Sequence, residues 1–404
     1  MEQANKTLNK IIRWQFIIWG ILIYICLGTV YSWSVFRKPL EEAFQIGSVQ
    51  SGLPYMFFLA TYAFLMPVGG LLLEKFKPRT VIMAGGVLVG LGWILSGFTK
   101  DITALTITYG IIAGGGVGIL YGIPMAVVAR WFPDKKGLAV GLILMGFGIS
   151  PFVTAPVASY LIGLYGPVET FKLIGIVFLL VILILALPFR FPEDPISADK
   201  IDATIPQTED IDTKQMLKNR QFFGLWVCFG ISTMVGLMCI GITSLVGIEI
   251  IKLDAAVAAW AVAIFSVFNG IGRPVFGWLT DRIRVYKTTV ITYLLMIVAA
   301  VLMLVAGKGS VVIYMISFSL LWFTFGGWLA IAPTTTSILF GQKYYSKNYG
   351  FVFTSYGIGA VLGVSTSGFI RDLFGSYLNV FYLVLVLAVL GIVLSSIFFK
   401  PVKA

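Results

Sequence analysis

The chain has no histidine, three cysteines and only 18 acidic residues among 404. Each scarcity removes a class of function. Without histidine there is no imidazole to serve as general base, proton shuttle or metal ligand. Cys26, Cys228 and Cys239 sit inside apolar runs, with neither zinc-site spacing nor the paired loop positions of a disulfide framework, and are expected to pack as small apolar residues. No apolar run holds two carboxylates, so acid–base pairs have no place in one. Gly114-Gly115-Gly116 lies within an apolar run and cannot form a phosphate-binding loop. An enzyme is therefore not expected, nor is any cofactor.

What is abundant is apolar: 58% of residues are hydrophobic and 12% charged, with a mean hydropathy of +0.95, beyond the range of ordinary soluble domains. Crossing a bilayer takes about 20 apolar residues. Runs of that order recur near 15–36, 51–73, 80–98, 102–129, 137–162, 168–189, 221–250, 255–279, 286–306, 310–340, 348–370 and 377–399, which predicts an all-α polytopic membrane protein with twelve spans. The first run passes signal-peptide length without a small-residue cleavage site, so an uncleaved first span is expected.

The net charge of +11 is scattered through the short loops and reads as topology, not as a nucleic-acid surface. With the N-terminus inside, cytoplasmic segments hold 21 of the 29 Lys and Arg, outer segments hold seven, Arg37 and Lys38 among them, and Arg273 alone lies in a span. This bias places both termini in the cytoplasm of the cell membrane.

The polar stretch from Phe191 to Arg220 carries seven acids and four bases. It divides the chain into a six-span bundle (1–190), a cytoplasmic linker (191–220) and a second six-span bundle (221–404). The halves repeat each other. Pro67-Val68-Gly69-Gly70 with Glu74-Lys75-Phe76 recurs 207 residues later as Pro274-Val275-Phe276-Gly277 with Asp281-Arg282-Ile283. Gly116 to Pro124 in span four is echoed by Gly326 to Pro333 in span ten. Two related bundles predict a cleft between them with substrate near mid-membrane.

Arg273 is the chemical anomaly. A cation at this depth costs roughly 2.5–3.5 kcal/mol on insertion scales, so such residues face polar cavities. Side chains tilt toward a helix N-terminus, which aims this guanidinium toward mid-membrane and away from the cytoplasmic surface. Ser266, Asn269, Gly270, Arg273 and Gly277 share one small, polar stripe, while Phe265, Phe268, Ile271 and Val275 lie off it. Glu249 and Asp254 lie at outer span ends, and Glu74, Asp134 and Asp281 at inner ends, so no resident carboxylate is expected beside Arg273. A transported anion is the remaining partner, and guanidinium presents a two-pronged fork to a carboxylate. Tyr24, Tyr31, Trp33, Tyr121, Trp322, Phe325, Trp328, Phe353 and Tyr356 supply aromatic candidates for the cleft.

The duplicated Gly-to-basic loop resembles the signature loop of the major facilitator superfamily, whose fold it implies. The resemblance makes Glu74, Lys75, Asp281 and Arg282 a gating latch on the cytoplasmic side. Tyr31-Ser32-Trp33, Gly116 to Gly122, the run Arg130 to Ala139, Phe268-Asn269-Gly270 to Arg273-Pro274, and Asn348 to Phe351 together resemble the oxalate/formate antiporter family within that superfamily, relatives of the monocarboxylate transporters. The resemblance implies that Arg273 binds a substrate carboxylate and that Tyr31, Tyr121, Phe325 and Phe353 line the site. Two departures carry information. Tyr356 stands where the oxalate exchanger has a second cation, which favours a singly charged cargo such as lactate, pyruvate or formate over a dianion. Asn269 stands where animal proton-linked relatives have an aspartate, so no dedicated proton carrier is visible. Anion exchange and proton symport both stay open. The expectation is a secondary transporter of small organic anions working in the lipid bilayer as a single copy of the chain, with Asn269 and Tyr356 also in the site. A dicarboxylate exchanger is the alternative, and a non-transporting sensor is the alternative of another class.

Overall fold

The computed structural model describes residues 2–132, 136–192, 210–341 and 344–399, and among these not the side chains of 2–12, 74, 136–138, 281 and 346. Among the described residues, eleven helices are long and apolar enough to cross a membrane. One of them, Ala139–Ala186, runs through Gly166 at φ 78°, a conformation that Cβ-bearing residues rarely adopt, with Pro167 opening the next helix. Divided there it gives two spans, and the total of twelve matches the hydropathic reading. We number them α1 (Arg13–Phe44), α2 (Ser48–Leu73), α3 (Pro78–Ser96), α4 (Ile102–Trp131), α5 (139–165), α6 (167–186), α7 (Arg220–Ile251), α8 (Ala255–Thr280), α9 (Val285–Leu304), α10 (Val311–Phe340), α11 (Lys347–Phe374) and α12 (Tyr377–Phe398).

Packing follows the sequence repeat. Within the first six helices α1 lies on α5, α2 on α4, and α3 on α6; within the last six α7 lies on α11, α8 on α10, and α9 on α12. Adding six to each number maps one set onto the other. The same operation exchanges the two seams that join the bundles, α2 with α11 and α5 with α8. With no hydrophobic drive between helices in lipid, close approach through small residues carries much of this packing. Gly28 of α1 meets the Phe147 carbonyl and Ser150 of α5, and Gly326 of α10 meets the Asn269 carbonyl of α8, leaving no room for a Cβ at either glycine.

The seams differ along their length. On the face away from the chain termini, Val49 donates a backbone N–H to Asp372 at 3.4 Å, and a Cβ at Gly52 would lie 3.0 Å from Val364. On the face carrying the termini, a Cβ at Gly70, Gly141 or Gly350 would meet none of the described atoms within 4 Å.

Two expectations are revised. The first span does not end near 36: it continues through a 3-10 turn at Thr29–Ser32 to Phe44, so Arg37 and Lys38 are helical rather than loop residues. Arg37 is 0% exposed, and Arg273 is thus not the one cation inside the bundle. Phe265, off the polar stripe of α8, is buried as well, against Tyr314 and Phe318 of α10. Of the linker, the acids from Glu193 to Glu209 lie outside the described residues, as do Asp134, Lys135, Lys343, Lys400 and Lys403. Its last part is fastened to the second bundle: Ile211 donates to the Phe340 carbonyl at 3.1 Å, and Asn348 Nδ2 donates to the Ile211 carbonyl at 3.0 Å.

Candidate substrate site

The polar stripe of α8 faces inward as its spacing predicts. Ser266 and Asn269 are fully buried and Arg273 is 6% exposed, whereas Phe268, Ile271 and Val275 are outward and exposed. The Arg273 side chain runs back along its helix, donating from Nη2 to Asn269 Oδ1, one turn earlier, at 3.2 Å. Nη1 donates across the seam to the Leu144 carbonyl of α5 at 2.9 Å. Asn269 is itself held, its Nδ2 donating to the Trp322 carbonyl of α10 at 3.3 Å.

The guanidinium remains incompletely satisfied. Arg273 Nε is buried with no hydrogen-bond partner among the described residues, and no described carboxylate oxygen lies within 4.0 Å of the group. An unpaired buried donor costs about 1–3 kcal/mol, and a buried charge lacking a counter-ion several more. Gly148 of α5 leaves the space beside Nε open: a Cβ there would stand 3.3 Å from Nε and 2.8 Å from Asn269 Oδ1. An acceptor of negative charge placed beside Nε would satisfy both the free donor and the charge.

Around the cation the two bundles meet through aromatic rings. Tyr31, on the 3-10 turn of α1, donates to or accepts from Tyr356 Oη of α11 at 3.1 Å. Its ring lies 5.8 Å from Phe325 and 6.4 Å from Trp322, both on α10. Tyr356 stacks on Phe353 at 4.8 Å. Tyr121 of α4 packs edge-on to Phe147 at 5.4 Å, and its carbonyl accepts a short hydrogen bond from Tyr24.

All seven residues expected at a substrate site, Arg273, Asn269, Tyr31, Tyr121, Phe325, Phe353 and Tyr356, are therefore buried and fall into one connected cluster. Among the members not singled out from sequence are Phe147 and Tyr62. Phe147 joins Tyr24, Tyr31, Tyr62 and Tyr121, and Tyr62 bridges to Phe353 at 5.9 Å and Tyr356 at 5.8 Å. The repeat held the signal for one of them, since Tyr62 lies 207 residues before Asn269 and is its counterpart in the first bundle. Of the expected latch, Lys75 and Arg282 are exposed at the terminus-bearing ends of their helices, Arg282 over the Trp278 ring at 5.4 Å. The side chains of Glu74 and Asp281 lie outside what the structure describes.

Comparison with known proteins agrees with this architecture. The model of the family described as Major Facilitator Superfamily matches residues 15–344 and 242–404. The oxalate:formate antiporter of Oxalobacter formigenes is 30% identical over 365 residues, covering 90% of this chain and 86% of the relative. Monocarboxylate transporter 13 of Bos taurus is 25% identical, covering 87% of this chain and 81% of its own. Among solved structures, a bacterial homologue of the human lysosomal transporter Spinster, inward-facing and unoccupied, superposes with a TM-score of 0.72 at 14% identity, covering 96% of both chains.

Proposed function

Because the chain belongs to the major facilitator superfamily and, within it, to the oxalate/formate antiporter family, we propose that this transporter carries a small monocarboxylate of the lactate, pyruvate or formate type, by alternating access. The observation that carries the reading is the buried Arg273 Nε without a partner among the described residues. The cargo carboxylate takes that N–H together with an Nη donor, while the hydroxyls of Tyr31 and Tyr356 donate to its oxygens. Asn269 positions the guanidinium. Tyr121, Phe325 and Phe353 exclude water, which strengthens the ion pair by lowering the local dielectric.

The cargo charge follows from the donor set. Arg37 has its nitrogens engaged by the protein, and Tyr356 contributes a hydroxyl, not a second cation. One unsatisfied positive charge balances one negative charge. We assign the bundles to 1–190 and 221–404, the linker to 191–220, and both termini to the cytoplasmic side of the cell membrane. Glu74, Lys75, Asp281 and Arg282 act as the latch on that side. Coupling is by exchange against a second anion or by a proton that travels with the substrate acid, with the single chain as the transporting unit.

The test is counterflow in reconstituted vesicles. Preloaded lactate, pyruvate or formate should accelerate uptake of the labelled anion, and purified protein should be thermally stabilised by the same compounds. A second reading, a dicarboxylate exchanger, is favoured by the 30% identity to a protein named as an oxalate:formate antiporter. Stabilisation and counterflow by oxalate alone would establish it over the first.

A further inference from the structure

Arg37 is as deeply buried as any described residue, and it lies on α1 six residues beyond Tyr31, toward the face away from the termini. Its Nε donates to Ser51 Oγ at 3.0 Å and its Nη2 to the Ser48 carbonyl at 2.5 Å, both at the start of α2 in its own bundle. Ser51 Oγ in turn donates to Glu41 Oε1 at 2.6 Å, passing the carboxylate's charge toward the guanidinium. The remaining nitrogen, Nη1, crosses to the other bundle and donates to the Gly241 carbonyl of α7 at 3.2 Å. The Tyr377 ring, at the start of α12, lies 5.8 Å from the guanidinium carbon.

The two sets of bonds respond differently to movement of the bundles. Those to Ser48 and Ser51 lie within the first bundle and survive if the bundles part on this face. The bond to Gly241 exists only while they are together. A contact made in one state and absent from the other shifts the equilibrium between them by its full differential worth. The same parting would return a buried cation to water, so closure exchanges hydration for a carbonyl and stays reversible.

We propose that Arg37 is the positioning residue that closes the cleft on the face away from the termini, by clasping the Gly241 carbonyl only in the closed state. This rests on the alternating-access reading given above, but not on the identity of the cargo.

The experiment uses the full chain in nanodiscs, without any carboxylate present, with Cys26, Cys228 and Cys239 replaced by alanine. A reporter, Val364→Cys, is placed in the seam that this face seals, where Val364 is 2% exposed beside Gly52. A control, Val89→Cys, is placed inside the first bundle, where Val89 is 0% exposed. Arg37→Met removes the clasp, and Arg37→Lys keeps the charge but offers one nitrogen where three are used. Loss of one charge-assisted bond from the closed state alone should raise the rate of labelling of the reporter by a water-soluble maleimide about tenfold, with the control unchanged. No rise at the reporter with either substitution, or an equal rise at both cysteines, overturns the proposal. Because no substrate is added, a tenfold rise alongside failed monocarboxylate counterflow would retain the clasp and reject the cargo assignment.

Discussion

Replacing Arg273 with methionine should remove transport and at the same time stabilise the empty protein. The two signs follow from the same geometry. Among the described residues the guanidinium has two protein acceptors, a buried N–H without a partner and no carboxylate within 4.0 Å. Methionine of similar length relieves a burial penalty of several kcal/mol. Against this stands the loss of donors to Asn269 Oδ1 and the Leu144 carbonyl. The former costs about 1–3 kcal/mol if no other donor replaces Arg273 Nη2; the latter costs less, because a carbonyl inside α5 also accepts within its helix. The balance favours the variant by roughly 1–3 kcal/mol. For the anion the change is one-sided: truncating one partner of a buried charge pair costs about 2–5 kcal/mol of binding, which lowers affinity about 30- to 4,000-fold. The assay is a paired measurement on purified protein, a melting temperature without anion and the shift produced by saturating lactate, pyruvate or formate. A higher melting temperature with no anion shift is the expected result. A variant that melts well below the parent would show that Arg273 is a structural residue already compensated by the protein, and retained uptake would refute its role as anchor.

Three further outcomes test the rest of the site. Tyr356→Lys places a second cation beside Tyr31 and Phe353, and should raise the preference for oxalate over a monocarboxylate by about tenfold or more in competition uptake; an unchanged preference would break the charge-counting argument. Asn269→Asp puts a carboxylate where Oδ1 already accepts from Arg273, so the resident ion competes with the cargo. A carboxylate paired with arginine has its pKa lowered and stays ionised at neutral pH, so uptake should be depressed there and recover as pH falls toward that lowered value, relative to the parent at each pH. Gly148→Ala sets a methyl 2.8 Å from Asn269 Oδ1 and 3.2 Å from the Gly270 Cα; overpacking of this kind costs about 1–3 kcal/mol and should erase anion-induced stabilisation while expression persists.

Much of the fold was legible because a bilayer dictates run lengths and a duplicated chain repeats its punctuation. The Gly166-Pro167 break fell between two apolar runs, and the motif repeats pairing α2 with α8 and α4 with α10 agree with the matched α2–α4 and α8–α10 packing. Arg273 was legible for a local reason: its depth, its helix direction and its neighbours at helical spacing all lie within one span. The aromatic wall was less so. At 15% aromatic content, a ring that packs and a ring that lines a site look alike in sequence, and Phe147 is told apart only by which helices converge on it.

Arg37 marks the other limit, and its comparison with Arg273 gives the site its logic. In the sequence Arg37 precedes Lys38 and Pro39, a local pattern of charge and helix-breaker that reads as the end of a span. What carries it inside is a set of acceptors that no window of hydropathy contains, one of them 204 residues away. Once the structure supplies the partners, the two buried arginines separate by their bond counts. Arg37 finds acceptors for Nε, Nη1 and Nη2 within the protein, whereas Arg273 Nε is unmatched among the described residues. A site meant to release its ligand needs a cation whose last acceptor is external, and a gate meant to reopen needs one whose last acceptor belongs to the other bundle. On the roles proposed for the two arginines, the unmatched nitrogen, not the depth of the charge, would distinguish an anchor from a clasp.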